Sequence, residues 1–360
     1  MAGFESALGG RKVLVTGASG FIGRRLVGAL VAAGAEVTAL GRTRHSAAPF
    51  RGQKVRCLTG AMGDPTIARA AVAGQEVIFN LAYDFRDTGA ANLAALETVL
   101  GAAEAESRAR IVHTSSIVVY DDWPGGALTE ASSMDRPGGS PYRQAKVAME
   151  RRLMTSPLPV AILQPTIVWG PGSSLWTDGF AEALLAGAVV VPEPEGLCQG
   201  VYVDDVVQAC LRAALLPDLG RERFIVNGPR PFPWSALLQG YCTLLGQGEV
   251  RFAPADSLKP AIPHGTEPQP DHAPSAAARL SALGRRLIGR DRFEALVRTA
   301  KRRQKRGREM RPDAHLYELM VAAGQCPAQQ ATERLGYAPA FGLTEGLQAA
   351  GPYLRRMGGQ

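Results

Sequence analysis

Apolar and polar positions alternate along the first half of the chain with two periods. Residues 12–16 (KVLVT) form a short β-rich apolar run followed by a glycine loop, and residues 21–33 then repeat apolar side chains at helical spacing. The same strand-like signal recurs at 36–40, 55–59, 76–81, 110–115 and 160–165, with segments rich in alanine and leucine between. Alternating βα units of this kind predict an α/β fold built on a doubly wound parallel sheet. After Gly172 the pattern loosens, and the Pro-rich stretch 253–274 reads as an extended loop or linker. No internal repeat is visible.

Composition narrows the class. The 360 residues are 46% apolar and 20% charged, an ordinary globular balance with length for a large domain and a smaller one. Five cysteines stand singly, without CxxC pairs or histidines at ligand spacing, so neither a disulfide framework nor a metal site is expected. No charged-then-apolar leader precedes the first strand, and no apolar run approaches the roughly eighteen residues a bilayer requires, so a cytoplasmic location is expected. Charge is uneven: between Arg279 and Arg311 thirteen Lys or Arg face three acids, against +7 for the whole chain. Leu280, Leu283, Leu287, Phe293, Leu296 and Val297 recur through this stretch at roughly helical spacing, so a basic amphipathic helical segment over 276–311 is expected. Three roles fit it: a solvated face packed onto the second domain, a peripheral contact with an anionic membrane, or a seat for an acidic partner. Nucleic acid is disfavoured because aromatic platforms and reading modules are missing from the stretch.

The chemistry concentrates in two motifs. In Gly17-Ala-Ser19-Gly20-Phe21-Ile22-Gly23, one glycine allows a tight turn, another lets backbone amides approach a pyrophosphate, and the last lets the helix pack closely on the sheet. The anion would meet a helix N-terminus. The second apolar run ends in Gly41-Arg42-Thr43-Arg44 without a carboxylate, and two guanidiniums there suit the 2′-phosphate of NADP(H) better than the bare ribose of NAD(H). The second motif, PYRQAKVAME, spaces Tyr142 and Lys146 four apart on one helical face, where an ammonium beside a phenol favours the phenolate.

With TGASGFIG (16–23), FNLAY (79–83), IVHTSSIVVY (111–120), SPYRQAK (140–146), ILQPTIVWGPG (162–172), GVYVDDVVQA (200–209), FIVNGP (224–229) and LGYAPAFGLTEGL (335–347) in order, the chain resembles the extended short-chain dehydrogenase/reductase family, the NAD(P)-dependent epimerase/dehydratase group. The resemblance implies a Rossmann domain from 1–172 and 200–228, interleaved with a substrate-binding region from 173–199 and 229–360. It implies Tyr142 as general acid/base, Lys146 on the nicotinamide ribose and lowering the tyrosine pKa, and Ser116 on the substrate oxygen. Cofactor contacts are expected from Gly17, Ser19, Gly20, Phe21, Ile22, Gly23, Arg42, Arg44, Leu81, Ala82, Tyr142, Lys146, Pro165 and Ile167. A small-molecule substrate would meet the loop Tyr83-Asp84-Phe85 and Trp123, Trp169, Ser174, Trp176 and Tyr202, since ligands of open α/β sheets sit beyond the strand C-termini. A homodimer through residues 92–106 and the Tyr142 helix is expected by analogy.

Departures from the family pattern bear on the reaction. Dehydratases place Asp-Glu directly after the catalytic hydroxyl and fucose-synthase-type epimerases a cysteine; here Ile117 and Val118 stand there, so those chemistries lack their acid/base. The stretch LQPTIVWGPG resembles steroid-dehydrogenase-like and dihydroflavonol-reductase-like members, with Gln164 replacing their arginine. The usual histidine of HLAA is Asn80, and the GD pair after the third strand reads Gly60-Ala61. Asp64 and the pair Asp204-Asp205 read as structural, capping helices and bonding backbone. Hydride transfer to or from a carbonyl or secondary alcohol carbon is the expected reaction, without a metal. A sugar-nucleotide 4-epimerase holding NAD tightly and a non-catalytic dinucleotide-binding protein are the alternatives.

Overall fold

A computed structural model describes residues 4–106, 109–259 and 307–360. The chain divides into two units, one formed by Met1–Gly172, Gln199–Pro231 and Ala323–Gly346, the other by Ser173–Cys198, Phe232–Ala322 and Leu347–Gln360. The C-terminal region expected to lie wholly with the substrate-binding part therefore splits. Ala323–Gly346 belongs to the first unit because Tyr337 is buried there, its hydroxyl donating to the Asn227 carbonyl at 2.9 Å. Asp205 also accepts the backbone N–H groups of Ala340 and Phe341 at 2.8 and 3.1 Å.

In chain order the elements run α1 (Phe4–Leu8), β1 (Lys12–Thr16), α2 (Phe21–Ala32), β2 (Glu36–Gly41), β3 (Val55–Thr59), α3 (Pro65–Val72), β4 (Val77–Asn80), α4 (Gly89–Glu106), β5 (Arg110–Thr114), α5 (Pro141–Leu153), β6 (Val160–Pro165) and β7 (Ile167–Trp169). They continue with α6 (Phe180–Ala186), β8 (Gly187–Glu193), β9 (Leu197–Cys198), β10 (Gly200–Tyr202), α7 (Val203–Leu215), β11 (Arg221–Val226), β12 (Phe232–Pro233), α8 (Trp234–Leu245) and β13 (Glu249–Pro254). A last strand, β14, spans Arg308–Met310.

The first unit is a seven-stranded parallel sheet in the order β11-β6-β5-β4-β1-β2-β3. Inner strands read as unbroken apolar runs because helices cover both faces. Within β1, Val13 and Val15 pack with Leu26, Leu30, Val206 and Cys210 of α2 and α7. Leu14 faces the other way, among Leu96, Leu100, Met149 and Leu153 of α4 and α5. From β1 the chain winds outward through β2 and β3, then returns to β4 on the opposite side of β1. The carboxyl ends of β1 and β4 thus flank a topological switch point, where ligands of such sheets bind.

In the second unit β8 lies between β13 and β14, parallel to both, and β9 pairs antiparallel with β12. Trp176, Phe180 and Trp234 form its aromatic centre, with Trp176 and Trp234 ring centroids 5.9 Å apart. Residues 308–310 are a strand, which corrects the helix expected to run to 311: they extend the β8 ladder. The rest of the basic segment, 276–306, lies outside the described residues. Among the described residues no helix is long and apolar enough to cross a membrane.

Candidate active site

The glycine turn sits at the switch point under tight geometric demand. Gly17 has φ +66°, and a Cβ added there would stand 2.8 Å from the Ala82 nitrogen, so β-branched or even small side chains cannot be accommodated. A Cβ on Gly23 would lie 2.2 Å from the Gly17 carbonyl oxygen, so helix α2 approaches the turn as closely as backbone permits. The helix opens at Gly20 with no side chain capping its first turn. Free amide donors at a helix start, in a cradle that any Cβ would fill, fit the pyrophosphate of a dinucleotide. Leu81 and Ala82, half-buried, close the β4 side of this cradle, and the Ala82 N–H donates to Thr16 Oγ1 at 3.3 Å. Thr16 in turn donates to Asn80 Oδ1 at 2.7 Å. Asn80 Nδ2 lies 2.9 Å from Nδ1 of His113, a buried ring that burial, and then the charge of Lys146, hold well below the ordinary histidine pKa. Asn80 therefore ties β1, β4 and β5 together at their carboxyl ends.

Beyond β2, Gly41, Ser46, Phe50 and Leu58 line a shallow depression that Ser19 borders from the glycine turn. Arg44 is exposed, as is His45. Arg42 is ion-paired through Nη1 with the carboxylate of Asp84, which also accepts from Nε of Arg86 at 3.1 Å. Partial burial and the Arg86 charge lower the Arg42 pKa. The sequence grouped Asp84 with its neighbours as a substrate contact; its side chain is committed to these arginines instead. Asn92 fixes the loop, accepting the Asp84 N–H at 2.7 Å and donating to the carbonyls of Asp84 and Thr88 at 3.0 and 2.9 Å.

Helix α5 begins cleanly because Ser140 caps it and Pro141 occupies its first position. Tyr142 consequently sits in the first turn and Lys146 one turn on. Ser116 is the N-cap of the 3₁₀ turn Ile117–Val119, its hydroxyl accepting the Val118 N–H at 3.4 Å, and it is near enough to the Tyr142 hydroxyl to lower its pKa. Lys146 Nζ is buried, donates to the Thr114 carbonyl at 2.8 Å, and lies 5.8 Å from the Tyr142 ring centroid and 5.1 Å from that of Tyr83. The expectation that Lys146 makes this phenol more acidic is not met in the chain itself. Burial pushes Tyr142 up to about 12, with Ser116 lowering it and Tyr83 raising it further. Lys146 is pulled down to about 8, again by burial, with Glu150 working against the shift.

Glu150, one more turn along α5, was not singled out by sequence. Fully buried, it pairs with Arg223 Nε at 2.7 Å and accepts from Gln164 Nε2 at 3.0 and 3.1 Å. Gln164 accepts the Tyr120 hydroxyl at 2.7 Å, so the residue replacing the family arginine bridges a phenol and a carboxylate. Asp64 caps α3 by accepting from the N–H groups of Thr66 and Ile67, and Asp204 pairs with Arg25 at 3.1 Å.

Two rings converge beside the Tyr142 phenol. Tyr83 meets Tyr142 edge-on with centroids 4.9 Å apart, and Phe85 stacks on Tyr142 at 5.3 Å while remaining 76% exposed. The other aromatic expectations divide. Trp123 is half-buried against the cluster around Ile117, Val119 and Leu128. Trp169 and Tyr202, expected to meet substrate, are corrected to core residues: both are at most 1% exposed and pack edge-to-face at 5.1 Å, leaving no face for a ligand. Trp176 and the exposed Ser174 belong to the second unit. Pro165 and Ile167, expected among the cofactor contacts, are buried at the end of β6 and the start of β7. Among the described residues no cluster of three His, Cys, Asp or Glu could hold a metal ion.

A model of the NAD dependent epimerase/dehydratase family matches residues 13–227. The chain is 27% identical over 266 residues to the 2-alkyl-3-oxoalkanoate reductase of Stenotrophomonas maltophilia (strain K279a), covering 66% of this chain and 77% of that one. It is 32% identical over 245 residues to UDP-glucose 4-epimerase of Mycolicibacterium smegmatis, covering 60% and 77%. The fold matches that of dTDP-glucose 4,6-dehydratase from Bacillus anthracis, solved in complex with NAD, with a TM-score of 0.68 at 15% identity over 96% of this chain and 97% of the other.

Proposed function

The chain belongs to the NAD dependent epimerase/dehydratase family, and from that premise we propose that it is a nicotinamide-dependent reductase of a carbonyl on an apolar substrate. The observation that carries this reading is the placement of Tyr142 beside Ser116 and one helical turn from the buried Lys146 ammonium, which lies 5.8 Å from the Tyr142 ring centroid. A nicotinamide dinucleotide held by Gly17–Gly23 at the switch point would supply the hydride. The chain supplies the proton. With its pKa at about 12, Tyr142 is a phenol at neutral pH, suited to donate to a carbonyl oxygen as negative charge develops there. Ser116 hydrogen-bonds the same oxygen and stabilises that charge. Lys146, anchored on the Thr114 carbonyl, keeps two donor positions for ribose hydroxyls.

Ile117 is buried and Val118 carries no acid, so the chain offers one proton-transfer side chain beside Ser116, which suits reduction rather than water elimination. The exposed Phe85 ring, stacked on Tyr142, supports an alkyl or ring-bearing substrate, in keeping with the 2-alkyl-3-oxoalkanoate named for the Stenotrophomonas relative. Arg42 and Arg44, with no carboxylate at the end of β2, favour NADP(H). A 4-epimerase holding NAD is the second reading, favoured by the Mycolicibacterium relative. Nicotinamide absorbance during incubation with 3-oxoalkanoates, cyclic ketones and UDP-sugars separates the two. Net NADPH consumption with a ketone supports the reductase; NAD retained through purification and turnover of a UDP-sugar without net oxidation contradicts it.

A further inference from the structure

The sheet order sets β2 and β4 on opposite sides of β1, so the Arg42–Asp84 ion pair reaches across the carboxyl end of β1, where the glycine turn lies. The loop from residue 81 to 88 carries two acids, Asp84 and Asp87; both nearby guanidiniums, Arg42 and Arg86, are paired with Asp84, while Asp87 acts on Arg42 only through its charge. Its backbone is locked on both sides by the Asn92 amide, so the carboxylate is presented from a fixed platform. Arg42 is the same side chain that a 2′-phosphate would need.

We propose that Asp84 is an internal competitor for the 2′-phosphate: its carboxylate occupies Arg42 and Arg86, and cofactor choice is set by the balance between this pair and the phosphate. The inference rests on the reading of the β1/β4 crevice as a dinucleotide site. A dinucleotide with a free 2′-hydroxyl leaves the pair intact. One with a 2′-phosphate must draw Arg42 from Asp84 and then tolerate the carboxylate nearby, so its intrinsic advantage is partly cancelled. The two arginines therefore bias the site toward NADP(H) less than their charge alone implies, and Asp84 is a specificity-determining residue that no β2-end motif reveals.

The test uses the full chain and two nucleotide fragments, 2′,5′-ADP and 5′-AMP, titrated by calorimetry into wild type, Asp84→Asn, Arg42→Gln and the double variant. Asp84→Asn is expected to tighten 2′,5′-ADP by roughly fivefold, the scale of a partly exposed charge pair, with little change for 5′-AMP, and the gain should shrink as salt is raised. In the Arg42→Gln background most of that gain should vanish. Asp84→Ser, which removes the carboxylate differently, should reproduce the effect, and circular dichroism melts establish that each variant is folded. An unchanged preference ratio in both Asp84 variants, or equal tightening of both fragments, overturns the proposal while leaving the crevice reading intact. Failure of either fragment to bind any folded variant overturns the crevice reading and the proposal with it.

Discussion

Lys146 and Tyr142 are displaced from their ordinary pKa values in opposite directions by the same cause, burial. Lys146 holds its charge below about 8, so affinity for an anionic dinucleotide is expected to weaken as pH rises through that value; fluorescence titration between pH 6 and 9 checks it, and Lys146→Met should give a weak, flat profile. Stability carries the same signature. Between about 8 and the 10.5 of a free amine, the folded chain binds fewer protons than the unfolded chain, so this group makes stability rise with pH there, its penalty complete below about 8. Buried Cys198 and Tyr120 titrate the other way, so the difference between wild type and Lys146→Met isolates the lysine. The spacing of Tyr142 and Lys146 was legible because i and i+4 side chains share a helical face. The sign of the tyrosine shift was not, because it depends on how deeply the ring is enclosed, which sequence spacing does not report.

At the scale of elements, α5 carries Tyr142, Lys146 and Glu150 at four-residue intervals on one face. Glu150 supports the Lys146 charge, so Glu150→Gln is expected to shift the alkaline loss of dinucleotide binding to lower pH; Glu150→Ala, which strands Arg223 as well, should cost about 3–5 kcal/mol by urea denaturation. The β1–α2 junction is as exacting. Gly23→Ala drives a methyl into the Gly17 carbonyl and should lower dinucleotide affinity at least tenfold with about 1–3 kcal/mol of destabilisation, measured by titration and thermal melting. Five of the six N-terminal strands were readable because buried parallel strands are continuous apolar runs between alanine-rich helices, and the sixth, the half-exposed edge strand β3, was readable from its place in the alternation. Strand β14 was not, because its three residues, Arg308–Met310, are charged or flexible side chains whose strand state comes from pairing with β8 rather than from their own propensity.

Across the whole molecule, the return of distant segments to the first unit explains which aromatic expectations failed. Trp169 and Tyr202 lie on β7 and β10, which pair with each other, and Gly346 returns from far along the chain to press on Trp169, so both rings are enclosed. Proximity of this kind is set by tertiary return of the chain and leaves no local trace. Phe85 lies outside such a pairing, on the loop after β4, and keeps its face open beside Tyr142. Phe85→Ala is expected to raise KM for alkyl or cyclic ketones several-fold with little change for the smallest ketones, as steady-state kinetics across a chain-length series would show. The central claim is that the Tyr142 phenol delivers the proton in carbonyl reduction at a dinucleotide site. Single-turnover reduction by NADPH in wild type and Tyr142→Phe tests it most directly: the account requires unchanged NADPH affinity with a rate lower by about 10²–10⁴-fold in the variant, and an undiminished rate in a folded, NADPH-bound Tyr142→Phe protein would contradict it.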